Sequence, residues 1–157
     1  MKFTYGLSHL PYYTYSDYLQ WEGRWELIAG ISFAMNTALT PRHQIIGANL
    51  LAEFRFALKK CAHCKVSQPV DYRIEEDTTL QPNMLVICGD VKKKFLDFPP
   101  ALVVAILSPS TALKDRHTKS ALYAGHKIPY YIIISPDTRR SRSVCMGRWR
   151  LASQAKR

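Results

Sequence analysis

The apolar stretch ALVVAIL, residues 101–107, constrains the fold of this chain most. A run of seven consecutive apolar residues is typical of a strand that is buried on both faces. The next segment begins with Ser110 or Thr111 as a helix cap and continues as a predicted helix to about residue 127. A second apolar run, YYIIIS at 130–135, predicts the last strand. Strand, helix and strand in this order indicate an α/β domain with helices on the faces of a central sheet.

Two more helices and a hairpin are predicted upstream. Thr14 followed by Asp17 is a loose capping box for a short helix, and the apolar runs on either side of Ala29-Gly30 predict a hairpin. A long helix is predicted to begin at Thr40, an N-cap, with Pro41 at its first position. Apolar residues at helical spacing form the face that should pack on the core: Gly47, Leu50, Leu51, Phe54 and Leu58.

The middle of the chain predicts strands at VSQPVDYRI and MLVIC, with a turn at 75–77 between them. The length of 157 residues suits one domain, and we see no internal repeat. No run approaches the roughly 18 apolar residues of a membrane span, and the first residues lack the apolar stretch of a signal peptide. A cytoplasmic location is therefore expected.

The net charge of +10 is unevenly distributed. Residues 139–157 contain seven basic residues and no acidic one, which leaves 15 basic and 12 acidic residues, a net charge of +3, for 1–138. Such a basic tail can bind phosphate backbones without sequence preference, and Arg139, Arg140 and Arg142 are the candidate nucleic-acid-binding residues. A solvated, frayed chain end explains the same composition equally well.

Four cysteines are too few for a disulfide scaffold at this length, and a cytoplasmic protein is expected to keep them reduced. Cys61 and Cys64 have the CxxC spacing of a metal or redox site, with His63 between them. The second ligand pair of a zinc site does not follow in the sequence, and the CxxC pair closes a predicted helix rather than opening one. A plain helix end is the favoured interpretation, and a metal or redox role is the alternative.

Polar residues at strand ends are the candidates for chemistry, because ligands of such sheets gather where strands end and loops meet. Asn83 places an amide where the chain enters the predicted strand MLVIC. Glu26, Ala105 and Lys119 project to the same edge if the elements are arranged as above.

Several motifs follow one another in order through 12–138: RWELIAG, PRHQIIGANL, TLQPNMLVICG, KIPYYIIISPDT and, most specific, ILSPSTALKDRHTKSALY. They resemble the Uma2 family, a bacterial group of restriction endonuclease-like proteins within the PD-(D/E)XK nuclease superfamily that is widespread in cyanobacteria. The resemblance implies a three-layer core with a mixed central sheet over 1–138, and a C-terminal tail, 139–157, that is atypical for the family. It also implies hydrolysis of DNA phosphodiester bonds with Mg²⁺ held by acidic residues, aided by a lysine.

Carried over residue by residue, the family's first acidic position matches Glu26 and its lysine matches Lys119. The family's two central metal ligands, an aspartate and a glutamate, fall on Asn83 and Ala105. The resemblance therefore implies a degenerate metal site, at Glu26 and Asn83, with weak or absent Mg²⁺ binding and impaired cleavage. The alternative is a non-catalytic protein that binds nucleic acid or pairs with itself or with an intact paralogue.

Each candidate also has a simpler interpretation. Glu26 can be a surface carboxylate of a hairpin, and Lys119 a solvated helix residue paired with Asp115 at i, i+4. His43 matches a histidine at the start of the family's long helix, where packing or hydrogen bonding is its simpler role. Beyond residue 138, the basic sequence is expected to replace the further strand pair of the family.

Overall fold

The computed structural model describes residues 10–35 and 39–137, together with the backbone of 140–145 and 150–152. Within these residues the chain forms two sheets and four α-helices. The helices are α1 (Tyr15–Tyr18), α2 (Pro41–Ala57), α3 (Ala112–Arg116) and α4 (Thr118–Gly125), and a 3₁₀ turn, Leu58–Lys60, follows α2. No helix in the described part of the chain is both long and apolar enough to cross a membrane.

The larger of the two sheets has six strands. Their bounds are β3 (Cys64–Ser67), β6 (Met84–Cys88), β7 (Leu102–Ile106), β8 (Tyr130–Ser135), β9 (Arg140–Cys145) and β10 (Arg150–Ala152). They lie in the order β10-β9-β8-β7-β6-β3. The pair β7 and β8 is parallel, while β3, β6 and β7 pair antiparallel, so the sheet is mixed. The segment with α3 and α4 connects the parallel strands, as expected for strands that a hairpin cannot join. The predicted mixed α/β fold is confirmed.

Helices cover both faces of this sheet. On one face α2 packs through Leu50, Leu51 and Phe54 against Val104 and Ile106. On the other face the odd-numbered residues of β6 and β7 belong to a larger core that includes Tyr123 of α4. These are the three layers that the sequence predicts, with the α2 face as predicted from apolar spacing. Thr40 caps α2 by accepting a hydrogen bond from the backbone N–H of His43 at 3.2 Å.

The smaller sheet has four strands. Their bounds are β1 (Trp25–Ile28), β2 (Ile31–Ala34), β4 (Tyr72–Glu75) and β5 (Thr78–Leu80), and they lie in the order β2-β1-β5-β4. The predicted hairpin is present, and its two turn residues, Ala29 and Gly30, both have positive φ, 49° and 76°. Two positive φ values suit a tight two-residue hairpin turn. The short helix α1 forms where the capping box predicts it, with Asp17 accepting from the backbone N–H of Thr14 at 2.8 Å.

Three expectations about secondary structure were wrong. The segment VSQPVDYRI is two strands, β3 and β4, which lie in different sheets because Pro69 interrupts the run. The helix after β7 is two helices, since His117, with φ −115° and ψ −69°, departs from helical geometry. The strand pair that seemed absent after residue 138 exists as β9 and β10, with β9 paired antiparallel to β8. The β9 residues RSRSVC contain one valine and one cysteine as apolar residues, so apolar content could not predict this strand.

The expectation of four reduced cysteines was also wrong. Cys64, at the start of β3, and Cys88, at the end of β6, are joined as a disulfide. The antiparallel register places these residues directly opposite each other. A separation of 24 residues hides that proximity in the sequence.

Candidate active site

Asn83 and Ala105 are neighbours at the end of the β6–β7 pair. The register pairs Met84 with Val104 and Leu85 with Val103, so its continuation by one residue places Asn83 opposite Ala105. Directly opposed residues of paired strands project from the same face of a sheet. The two positions that the resemblance assigns to metal ligands therefore lie beside each other.

The side-chain amide of Asn83 hydrogen-bonds to the backbone of β7. Its Oδ1 atom accepts a hydrogen bond from the N–H of Ile106 at 2.8 Å. Ala105, one residue earlier, is buried with a methyl side chain in the larger core, beside apolar groups such as Leu85 and Tyr131. The Asn83 oxygen is uncharged and already accepts from Ile106, and Ala105 has no ligand atom.

His43 of α2 also contacts Ile106 of β7, from the sheet face that α2 covers. Its Nε2 atom lies 3.1 Å from the carbonyl oxygen of Ile106, which can only accept, so Nε2–H is the donor. Burial lowers the pKa of His43, and the Ile106 carbonyl opposes this shift without reversing it. His43 is therefore a neutral hydrogen-bonding residue of the packed interior, which agrees with its simpler interpretation.

Glu26 lies in β1 and is completely buried, with 0% of its surface exposed, so its interpretation as a surface carboxylate was wrong. Its Oε1 atom is 2.6 Å from Nζ of Lys119, and its Oε2 atom is 2.7 Å from Nζ of Lys114. Oε1 also accepts the backbone N–H of Gln81 at 3.0 Å. Every contact of this carboxylate is with a donor that favours its charged form.

Lys119 is 3% exposed and reaches two carboxylates at once. Besides Glu26, its Nζ atom lies 2.8 Å from Oδ1 of Asp115, four residues earlier in α3. The predicted i, i+4 pair with Asp115 therefore exists, but it is buried rather than solvated. We refer to Glu26, Lys114, Asp115 and Lys119 as the ion-pair cluster.

The charges of the ion-pair cluster cancel, since two carboxylates face two ammonium groups. Burial raises the pKa of Glu26, but the nearby charges of Lys119 and Lys114 outweigh burial and hold that pKa below its usual range. Burial lowers the pKa of Lys119, and the charges of Glu26 and Asp115 outweigh it and raise that pKa. Both residues are therefore charged at neutral pH and neutralise each other.

Sequence reasoning missed Lys114 as a member of this site and gave Asp115 no role beyond a helix pair. The spacing of Asp115 and Lys119 was a visible signal, because an i, i+4 pair lies on one helix face. Lys114 had no such signal, since its partner Glu26 lies 88 positions earlier in the sequence. Asp71, the residue before β4, accepts hydrogen bonds from Gln81 at 2.7 Å and Tyr18 at 2.9 Å.

A small cavity of about 20 Å³ lies between these groups. Its polar lining includes Arg24, His43, Gln81, Asn83, Asp115 and Lys119. That volume admits about one water-sized particle. Among the described residues, Asp115 is the one carboxylate that lines this cavity, and Lys119 already holds it.

The residues present do not fit a magnesium site. Mg²⁺ requires oxygen ligands in near-octahedral geometry and is usually held by one or two carboxylates. In the described part of the chain, no three acidic or histidine side chains at this edge surround a common point at metal-binding distance. Glu26 is held by two lysines, Asn83 by Ile106, and Ala105 has no ligand atom.

The candidate nucleic-acid-binding arginines lie at the border of the described chain. Arg139 is outside the described residues. The backbone of Arg140 and Arg142 belongs to β9, opposite Ser135 and Ile133 of β8, and their side chains are outside the described part. Their role in nucleic-acid binding therefore stays a prediction.

Comparisons with known proteins identify the family of this chain and a solved structure with the same fold. The sequence model of the Uma2 family, described as "Putative restriction endonuclease", matches residues 15–155. A crystal structure of a putative nuclease belonging to DUF820, from Anabaena variabilis, superposes with a TM-score of 0.75 at 14% identity. The similarity covers 87% of this chain and 82% of that one, and it establishes a common fold. No curated protein is similar to the chain in sequence. From the family match over residues 15–155, this chain is a member of the Uma2 family.

Proposed function

We propose that this protein is a Uma2-family relative of DNA endonucleases in which Mg²⁺-dependent phosphodiester cleavage is severely impaired. The observation that carries the proposal is the neutral ion-pair cluster, in which Lys114 and Lys119 occupy the carboxylate of Glu26. The family supplies DNA as the substrate class and a divalent metal as the cofactor. A cytoplasmic location is part of the proposal, since DNA is the substrate class.

Electrostatic magnitudes support impairment. Two unit charges 4 Å apart attract by about 4 kcal/mol at an effective dielectric of 20, and a divalent ion roughly doubles that figure. A carboxylate at position 83 and another at position 105 would each supply attraction of this size, and neither exists here. The ammonium of Lys119, which lines the cavity, repels a cation by a similar amount. Glu26 alone cannot offset these terms.

The same cluster supports a second candidate function, a non-catalytic protein that binds nucleic acid or pairs with itself or with an intact paralogue. A buried network of paired charges ties β1, α3 and α4 together whether or not a reaction takes place. The net charge of +10 favours contact with phosphate backbones. DNA binding without cutting is the outcome that separates this candidate from an enzyme.

Plasmid cleavage tests the proposal. The unaltered chain is incubated with supercoiled DNA and Mg²⁺ or Mn²⁺, beside the doubly restored variant Asn83→Asp with Ala105→Glu. We expect no cutting by the unaltered chain and metal-dependent nicking by the restored one. Robust cutting by the unaltered chain contradicts impairment.

A matched variant controls for the burial of position 105. Ala105 lies in the larger core, so a longer polar side chain there lowers stability whatever its charge. The variant Asn83→Asp with Ala105→Gln has the same shape and one negative charge fewer. Thermal unfolding of both variants identifies loss of folding. Cutting by the Ala105→Glu variant and not by the Ala105→Gln variant assigns the effect to the carboxylate.

A further inference from the structure

A second cluster of reactive side chains lies away from the ion-pair cluster. Cys61 and His63 follow the 3₁₀ turn after α2, Cys64 begins β3, and Cys88 ends β6. His43 lies near the opposite end of α2, a helix of 17 residues and therefore about 25 Å long. The cysteine cluster is thus separate from the site described above.

Three donor atoms of this cluster are close enough to share one ion. The ligand atoms of Cys61, His63 and Cys64 all lie within 4.8 Å of one another, and Sγ of Cys61 is 3.9 Å from Nδ1 of His63. Cys88 is bonded to Cys64, with the two Cα atoms 4.0 Å apart. The sequence has only one CxxC pair, and the fold adds a third cysteine to it from another strand.

The backbone fixes the four positions relative to one another. The N–H of Gly89 donates to the carbonyl oxygen of His63 at 3.0 Å, which ties the loop before β3 to the end of β6. The N–H of Cys61 donates to the carbonyl oxygen of Leu58 at 2.8 Å, which closes the turn. The register of β3 against β6 places Cys64 opposite Cys88. The turn after α2 and the pairing of β3 with β6 therefore bring these four residues to the same end of the sheet.

We propose that Cys61, His63, Cys64 and Cys88 form a Cys₃His site for a thiophilic divalent metal, with Zn²⁺ as the natural occupant. Three thiolates and one imidazole make a closed tetrahedral set of the kind that structural zinc sites use. Zn–S bonds of about 2.3 Å separate two sulfurs of a tetrahedron by roughly 3.8 Å. The observed 3.9 Å between Cys61 Sγ and His63 Nδ1, and the 4.8 Å limit for the donors of Cys61, His63 and Cys64, are close to this spacing. The sulfur of Cys88, which is bonded to that of Cys64, has to move away from it once the bond is reduced.

The disulfide and the metal exclude each other, so the site has two states. A small thiol or dithiol reduces the bond between Cys64 and Cys88: its thiolate attacks one sulfur, and a second thiol resolves the mixed disulfide. The reductant loses two electrons and becomes a disulfide, while both cysteines become thiols. Metal binding then releases the thiol protons to solvent as the sulfurs become ligands.

Either state joins the same elements. Strand β3 is at the edge of the six-stranded sheet. Its first residue, Cys64, is linked to β6 by the disulfide in one state and by the metal in the other. In the metal-bound state Cys61 and His63 are linked as well, which extends the link to the turn after α2. The reducing conditions expected in the cytoplasm favour the metal-bound state.

Cobalt titration of the reduced protein tests the site. The whole chain is reduced, and the reductant is then removed under anaerobic conditions. The protein is titrated with Co²⁺, whose visible absorption reports tetrahedral thiolate coordination. We expect one Co²⁺ per chain, displacement by Zn²⁺, and no such absorption from the disulfide form. A reduced protein without tetrahedral Co²⁺ absorption overturns the proposal and leaves the disulfide as a simple cross-link.

Single substitutions assign the ligands. Cys61→Ser, Cys88→Ser and His63→Ala should each weaken Co²⁺ binding by at least the roughly tenfold to hundredfold loss that removal of a supporting partner causes. The matched control is Cys145→Ser, because Cys145 belongs to β9, which β7 and β8 separate from β6. His63 is exposed, so its substitution tests the site even if a cysteine variant fails to fold. Equal affinity in Cys88→Ser and Cys145→Ser contradicts the assignment.

Discussion

The Nζ atom of Lys119 lies 2.6 Å from Oε1 of Glu26, and both side chains are buried. These are the residues that the sequence resemblance assigns to the family's lysine and its first acidic residue, and here they bind each other. Lys114 occupies the other oxygen of Glu26 at 2.7 Å. In place of a carboxylate group open to a cation, the chain has a closed and neutral set of charges.

Removal of Lys119 should destabilise the protein strongly. Lys119→Met leaves Asp115 without its ammonium partner and Glu26 with only Lys114, all away from water. Breaking one partner of a buried ion pair costs about 3–5 kcal/mol because it leaves an uncompensated buried charge. Urea unfolding at neutral pH measures the loss.

A double variant controls for the change in shape. Glu26→Gln combined with Lys119→Met removes one charge of each sign, so the buried network stays neutral overall. We expect the double variant to be more stable than Lys119→Met alone. If the two are equally unstable, the loss reflects packing of the lysine stem and not the charge.

The contribution of Glu26 to stability should disappear in acid. The folded-state pKa of Glu26 lies below the usual 4.5, because Lys119 and Lys114 outweigh the effect of burial. A depressed carboxyl pKa stabilises the fold above the unfolded-state pKa, and this stability is lost as pH falls through the folded-state pKa. The difference in unfolding free energy between the unaltered chain and Glu26→Gln should therefore be constant from pH 7 to about 5 and shrink below about 4.3.

Urea unfolding of both proteins from about pH 7 to about 2.5 checks this window. Titration of His43 affects both proteins alike, so it cancels in the difference. Lys119 has a raised pKa, so its contribution is complete below its usual 10.5 and is lost only as pH rises above that value. A difference that does not change over this range would show that the pKa of Glu26 is the same in the folded and the unfolded chain, which contradicts the lowered pKa.

Asn83 should act through its acceptor oxygen. Asn83→Ala leaves the N–H of Ile106 without its partner, which costs about 1–3 kcal/mol for a buried donor. Asn83→Asp keeps an oxygen at the same place and should cost less. Denaturant midpoints compare the two variants, and equal losses contradict the role given to the Asn83–Ile106 bond.

The arginines after residue 138 should supply part of any DNA affinity. Replacement of Arg139, Arg140 and Arg142 by alanine should weaken binding to all sequences alike. The slope of log affinity against log salt should fall by about 0.9 for each phosphate group that the variant no longer neutralises. A matched control replaces Lys92, Lys93 and Lys94, three exposed lysines of a loop, and changes the net charge by the same amount. Equal effects of both triple variants contradict a specific role for the arginines.

The local parts of this fold are readable from the sequence. Thr40 and Pro41 mark the start of α2, and the unbroken apolar run marks β7, because capping and burial depend on neighbouring residues. Strands without an apolar pattern, such as β9, form through backbone hydrogen bonds to a neighbouring strand. Amino-acid composition does not predict such pairing. The division of VSQPVDYRI between two sheets depends on tertiary pairing in the same way.

The sequence indicates candidate positions for the site but not their contacts. The family motifs point to Glu26, Asn83, Ala105 and Lys119, whose roles stay predictions, and the strand register places Asn83 beside Ala105. The pairing of Glu26 with Lys114 joins β1 to α3 and depends on the packing of distant elements. The meeting of Cys88 with the CxxC pair is likewise a product of the β3–β6 register.

Calorimetric titration with Mg²⁺ and Mn²⁺ tests the central claim, the loss of the metal site, most directly. The unaltered chain is compared with the Asn83→Asp, Ala105→Glu variant and with the same variant carrying Lys114→Met, which frees one oxygen of Glu26. All titrations use the chain with the Cys64–Cys88 disulfide intact, so that the cysteine cluster does not take up metal. We predict no binding heat for the unaltered chain, binding after the double restoration, and tighter binding once Lys114 is also replaced. Binding of Mg²⁺ or Mn²⁺ by the unaltered chain as tightly as by the restored variants would contradict the account.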